Sequence, residues 1–258
     1  MPARSIIVHL LARRDHVLEF EGADIIRAID AGLVEQLGQP TVAQAIRLSL
    51  MTTAISVLLM AALGTPLAYW LARGHVPARP MIETLLDLPI VLPPAVAGIA
   101  LLITFGRRGV FGPALAQLGI NLPFTTIAVV MAQVFIASPF YIKSATLGFA
   151  AVDPEIQQAA ALDGANGWQI IRFVILPLSW SALLSGSLMS WARALGEFGA
   201  TIIFAGNFPG RTQTMPLAIY IGFQVDLEEA LALSVILVGF SFLVLMLVKS
   251  VFHREMAI

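Results

Sequence analysis

The sequence predicts an all-α membrane protein of about five transmembrane helices. Three observations carry that expectation. Of 258 residues, 58% are hydrophobic and only 12% are charged, about half the charged share of an ordinary soluble domain. The charges are also segregated: the runs Leu48–Ala72, Leu88–Gly106, Gly109–Ile142, Phe173–Ala192 and Ala230–Val248 contain none. Each is long enough for the roughly 20 apolar residues of a membrane-crossing helix. Finally, no stretch alternates with the period of a strand and no internal repeat is visible. With five such runs, too little polar surface remains to wrap a soluble globule.

Composition also excludes several function classes. A net charge of −1 argues against nucleic acid as a partner. The absence of cysteine rules out disulfides and thiolate metal sites. His9, His16, His75 and His253 form no metal-ligand spacing, so neither a metal nor another cofactor is expected. The apolar stretch Ile6–Ala12 is short and closed by Arg13 and Arg14, which does not make a convincing signal peptide.

Residues 1–41 read as an N-terminal tail. Over 15–46, apolar residues recur at helical spacing among charges, the pattern of amphipathic helices on a membrane surface or across the bundle. The transmembrane domain takes 42–258. Its first span is expected at 42–72, ended by the polar loop "RGHVPARP". The second, 83–105, opens on "DLPIVLPPAVAG", whose prolines imply a bent start buried in protein rather than facing lipid. A glycine-rich loop with Arg107 and Arg108 leads to the third span, 124–149, with Pro139 inside it and Lys143 near its end. The fourth, 174–204, is followed by the loop "GNFPGRTQTMP", a short apolar stretch over Leu217–Phe223, and the last span, 228–252.

An odd number of spans places the termini on opposite sides. With residues 150–173 in the cytoplasm, Arg73, Arg79, Lys143, Arg172, Lys249 and Arg254 lie inside, against Arg107, Arg108 and Arg211 outside. That is the direction of the positive-inside rule, although the arginines of the tail count the other way.

Between the third and fourth spans the chain turns half-polar. Asp153-Pro154-Glu155 has the form of a helix start: a capping carboxylate, a proline suited to the first position, and an acid at the positive end of the dipole. Alanines extend this helix, Gly164 can end it in a left-handed turn, and Asn166 can cap a second short helix near Trp168. Leu176-Pro177 then leads into the next span. The result is a short helix–turn–helix with a smooth, close-approach surface, or simply an interfacial connector.

Gln158-Ala159-Ala160, three residues, Gly164, nine residues, Val174, one residue and Leu176-Pro177 resemble the cytoplasmic loop of the membrane subunits of ABC importers. That loop reads Glu-Ala-Ala, three residues, Gly, nine residues, Ile, one residue, Leu-Pro. Gln158 and Val174 are the departures, and Glu155 on the same helical face stands in for the missing charge. The resemblance implies the type I importer permease fold, with Glu155, Gln158, Ala159, Ala160, Asp163, Gly164, Val174, Leu176 and Pro177 in the loop that couples the permease to its ATPase. It also implies the partners: an ATP-binding subunit, an extracytoplasmic substrate-binding protein and a second permease copy, in a bacterial or archaeal inner membrane. "SWARALGEFGATIIFAGNFPGRTQTMPLAIY", "LDLPIVLPPAVAGIALL" and "GRRGVFG" further resemble molybdate permeases, from about Ser49 onward. Sulfate and tungstate permeases share the Ala-Arg-Ala-Leu-Gly-Glu-Phe-Gly type of run. Molybdate is therefore the expected cargo, with sulfate the alternative.

Arg193 and Glu197, four residues apart in the fourth span, can pair on one helix face, and Ser187 and Ser190 extend that face. Ionisable groups inside membrane segments mark functional sites by default. These four are candidates for the anion path or its gate, weighed against a structural ion pair. Arg107, Arg108 and Arg211 either meet the binding protein or are solvated. The chain holds no Gly-x-x-x-x-Gly-Lys-Ser/Thr phosphate loop and no catalytic constellation within its spans. It is therefore expected to be a transport subunit rather than an enzyme. A gradient-driven transporter is the remaining alternative, disfavoured by the lack of a repeat.

Overall fold

A computed structural model describes residues 39–74 and 76–255. The expected tail helices over 15–46 lie almost wholly outside the described residues; only 40–46 fall within them, inside the first helix. Among the described residues all regular structure is helical.

Helix α1, Pro40–Arg73, begins with proline at its first position and runs unbroken for 34 residues. Its buried face repeats every three to four residues, through Val42, Ala45, Ser49, Thr52, Ser56, Met60, Gly64, Ala68 and Leu71. Helix α5, Thr126–Ala151, is capped by the Thr125 hydroxyl, which accepts from Ala128 N. These two are long and apolar enough to cross a membrane as single helices.

The second and fourth expected spans are broken. Over 83–105 the chain forms two helices, α2 (Arg79–Val91) and α3 (Pro94–Phe105), bent by 118°. The cause is local: Pro93 and Pro94 have no N–H and push Leu92 and Pro93 into extended conformations, because a residue before proline avoids the α region. α4, Gly112–Gln117, follows in the loop before α5. Beyond α5 come the short α6, Pro154–Leu162, and α7, Gly167–Leu178, which meets α8, Trp180–Leu195, at 67°. α8 stops at Gly196, and the expected fourth span ends instead in a separate helix, α9, Gly199–Phe204. α10, Met215–Val225, forms a hairpin with α11, Leu227–Glu255; Asp226 caps α11 by accepting from Glu228 N and Glu229 N.

α5 is the centre of the bundle, packed by α1, α8, α2, α3 and α9. Small residues let the backbones meet. A Cβ on Gly148 would sit 2.4 Å from Ala182 Cβ, and one on Gly186 would sit 2.8 Å from Ser144 Cβ. Ser144 also donates to Ala182 O at 2.7 Å. Between α1 and α5 runs a polar seam: Ser56 donates to Gln133 Oε1 at 3.0 Å, and Thr65 and Tyr141 share a hydroxyl bond of 2.6 Å. Ser49 Oγ accepts from Met215 N at 2.7 Å, tying α10 to α1. Buried hydroxyls and amides in lipid need such partners.

The α5–α8 contact yields a stability prediction. Gly148→Val should overpack it, costing about 1–3 kcal/mol and lowering the midpoint of thermal unfolding in detergent. Gly239→Ala, on α11 where a Cβ meets nothing within 4 Å, should leave that midpoint unchanged or raise it. Equal midpoints for both variants would show that the close approach is not needed.

Candidate functional site

The loop between α5 and α8 is built by its own caps. Asp153 accepts from Glu155 N at 2.8 Å, starting α6 at Pro154. The helix ends in a Schellman turn: Ala165 N donates to Ala160 O at 3.0 Å and Gly164 N to Ala161 O at 3.1 Å. Gly164 takes φ +89° with open space where a Cβ would stand. Any side chain there is strained by the backbone alone. Asn166 and Gln169 form a reciprocal capping box at the start of α7. Within α7, Ile171–Ile175 forms a π turn, and fully buried Ile175 pins this helix to the core.

α6 buries no residue. Glu155, Gln158, Ala159 and Leu162 form one exposed stripe at i, i+3, i+4 and i+7, with Asp163 exposed beyond it. Ala160 is half-buried, on the side toward the bundle. The surface is less smooth than alanine alone implies: Leu162 is 89% exposed and Trp168 66%. Val174 and Leu176 are half-buried in α7, and Pro177 is exposed. The structure thus brings the sequence-predicted loop residues together in one small module at the end of the bundle.

What ties α6 to the bundle is Arg73, in the last turn of α1. Its Nη2 donates to Phe149 O and Val152 O, both at 2.7 Å. With its carboxamide oxygen toward the guanidinium, Gln157 accepts from Nη1 at 2.6 Å and Nη2 at 2.9 Å. The sequence places Arg73 only among the cytoplasmic cations and singles out nothing at Gln157. A lone arginine closing an uncharged run looks like an ordinary interfacial cation, and only the fold brings it beside α6.

At the opposite end of α8, the four gate candidates separate. Ser190 is fully buried and donates to Ser187 O at 3.0 Å, while Ser187 donates to Leu183 O at 2.8 Å. Both hydroxyls are thus satisfied within their own helix. Arg193 meets Glu197 at 2.9 Å, with side chains 30% and 1% exposed. Glu197 Oε1 also accepts from Ala200 N at 2.8 Å, so the carboxylate caps α9. α9 then lies against α3 at glycine contacts: a Cβ on Gly98 would stand 2.8 Å from Ala200 O, and one on Gly199 2.7 Å from Pro94 Cβ. The pair therefore holds the break between α8 and α9. Arg107 donates to Asn121 Oδ1 at 3.3 Å beside a cavity of about 280 Å³ lined by Phe105, Leu115, Ile120 and Leu122; Arg108 and Arg211 are exposed.

The fold defines a multi-pass helical membrane subunit. The family model described as "Binding-protein-dependent transport system inner membrane component" matches residues 64–256. The chain belongs to that family of inner-membrane transport components. Among its relatives are the molybdenum transport system permease proteins ModB of Mycobacterium tuberculosis, 41% identical over 80% of this chain and 78% of the relative, and of Escherichia coli, 38% identical over 69% and 78%. The sulfate transport system permease protein CysW of Synechococcus elongatus is 35% identical over 84% of this chain and 76% of the relative. The fold is shared with a bacterial alginate ABC transporter solved in complex with its alginate pentasaccharide-bound periplasmic protein, at TM-score 0.68, 15% identity, and coverage of 97% of this chain and 94% of that one. It is also shared with the MetNI methionine ABC transporter, at 0.61, 17%, 81% and 95%.

The double use of Glu197 predicts a graded response. Glu197→Ala should lower the unfolding midpoint by the equivalent of about 1–3 kcal/mol, the cost of stranding a buried donor and a charge partner. Glu197→Gln keeps an acceptor for Ala200 N and should lose less. Unchanged unfolding of Glu197→Ala together with abolished transport would assign the residue to the anion path instead.

Proposed function

We propose that this chain is the permease subunit of an ABC importer for molybdate, a homodimer driven by a separate ATPase and fed by an extracytoplasmic binding protein. The observation that carries the reading is the capped, outward-facing α6–α7 module, whose residues from Gln158 to Pro177 keep the spacing that resembles the importer coupling loop. The molybdenum permeases among its relatives support the cargo. Tungstate, a tetrahedral oxyanion of nearly the same size, shares the route. Sulfate is the second reading, favoured by the likeness to the sulfate permease. We place the tail at 1–41 and spans within α1, α2 with α3, α5, α7 with α8, and α11, with α6 in the cytoplasm.

In this reading α6 is a mechanical part. ATPase closure pushes on the stripe of Glu155, Gln158, Ala159 and Leu162, with Trp168 as an aromatic anchor at its edge. The ATPase subunit carries the phosphate chemistry, since this chain holds no phosphate-binding loop. Selectivity rests with the binding protein, so the permease needs only a gated path that binds its anion loosely enough to release it.

Cells lacking this permease should lose high-affinity molybdate uptake and keep sulfate uptake; the reverse pattern would reassign it to sulfate. Gly164→Val, at about 1–2 kcal/mol of left-handed strain, and Ala159→Glu, which adds bulk on the exposed stripe, should both leave a folded permease. Each should nonetheless break the link between ATP hydrolysis and anion uptake in reconstituted vesicles. Full coupled transport by both variants would reduce α6 to a connector.

A further inference from the structure

Beside its chain connections to α5 and α7 and its contact with α7, α6 reaches the bundle by side-chain hydrogen bonds at Gln157, and these converge on Arg73. Resting on the reading of α6 as the ATPase-docking element, we infer that Arg73 is the joint through which α6 drives the transmembrane helices. Its backbone belongs to the last turn of α1. Its guanidinium holds Phe149 O and Val152 O at the end of α5 and the carboxamide oxygen of Gln157 on α6. Among the described residues no carboxylate pairs with it.

The chemistry suits arginine specifically. The terminal carbonyls of α5 have no helical N–H of their own and lie at the negative end of its dipole, so a cation is stabilised there. The planar fork directs several donors at once in fixed directions, where an ammonium offers a compact point charge on a flexible stem. A lysine can therefore cap α5 yet cannot hold Gln157 in the same geometry. Through the fork, displacement of α6 is delivered to α1 and α5 together, and α5 is the helix on which the bundle packs. Arg73 is a positioning residue: it acts through Gln157 on α6 and the last carbonyls of α5.

The test uses the complete transporter, permease with ATPase and binding protein, reconstituted in vesicles with molybdate. Molybdate transported per ATP hydrolysed is read for Arg73→Lys, Gln157→Leu and Gln157→Glu. The first two should lower that ratio about tenfold, the scale of a lost hydrogen bond to a charged group. Gln157→Glu, which still presents oxygen to the guanidinium, should retain it. A merely structural role would reduce folded transporter and both rates in parallel, and an unchanged ratio in Arg73→Lys and Gln157→Leu overturns the inference. Gln158→Cys, added in each background, reports docking by cross-linking to the ATPase. Cross-linking that persists while the ratio falls supports the joint. No cross-link in the otherwise unsubstituted transporter removes the docking role of α6, and the inference with it.

Discussion

In lipid, helices gain nothing from being oily, because the surrounding tails are as apolar as leucine; association depends on close packing and interhelical hydrogen bonds. The bundle accordingly hangs on the approach of backbones around α5. Gly148 against Ala182, and Gly186 against Ser144, bring α8 close enough for Ser144 to reach Ala182 O. On the other side of α5, Ser56 with Gln133 and Thr65 with Tyr141 secure α1. Once α1, α5 and α8 are fixed, the remaining helices have surfaces to rest on.

That core permits the interruptions. A broken helix exposes backbone groups that lipid cannot satisfy, so each break needs local partners. At the α8–α9 break Glu197 supplies an acceptor to Ala200 N and draws Arg193 to itself. At the turn between α7 and α8, Ser179 donates to Gly148 O. The bend between α2 and α3 relies on proline, which has no donor to strand. Charged residues within the membrane region therefore serve architecture as well as any transport role.

The two ends of the bundle are built differently. At the α6 end the chain projects a capped module that buries little and leaves Leu162 and Trp168 in the open. At the other end loops fold back on the helices: Phe124 N donates to Phe204 O and Thr126 to Arg211 O. An exposed apolar surface on a loop fits a partner that covers it.

The sequence by itself determined the helical membrane class, because the uncharged runs and their length admit no soluble alternative. It also determined the caps of the α6 loop, since Asp153, Gly164 and Asn166 act on neighbours a few residues away. Local chemistry of that kind is legible without a fold. The tertiary structure decided what depends on meetings between distant residues. Arg73 lies 76 positions from Phe149, and nothing in its neighbourhood along the chain announces that it caps α5 or holds Gln157. The burial of Ser190 was likewise decided by the packing of α8 among its neighbouring helices. The breaks fall between: prolines announced a bend over 83–105, but its 118° angle, and the packing of α9 against α3 at Gly98 and Gly199, are seen only in the fold.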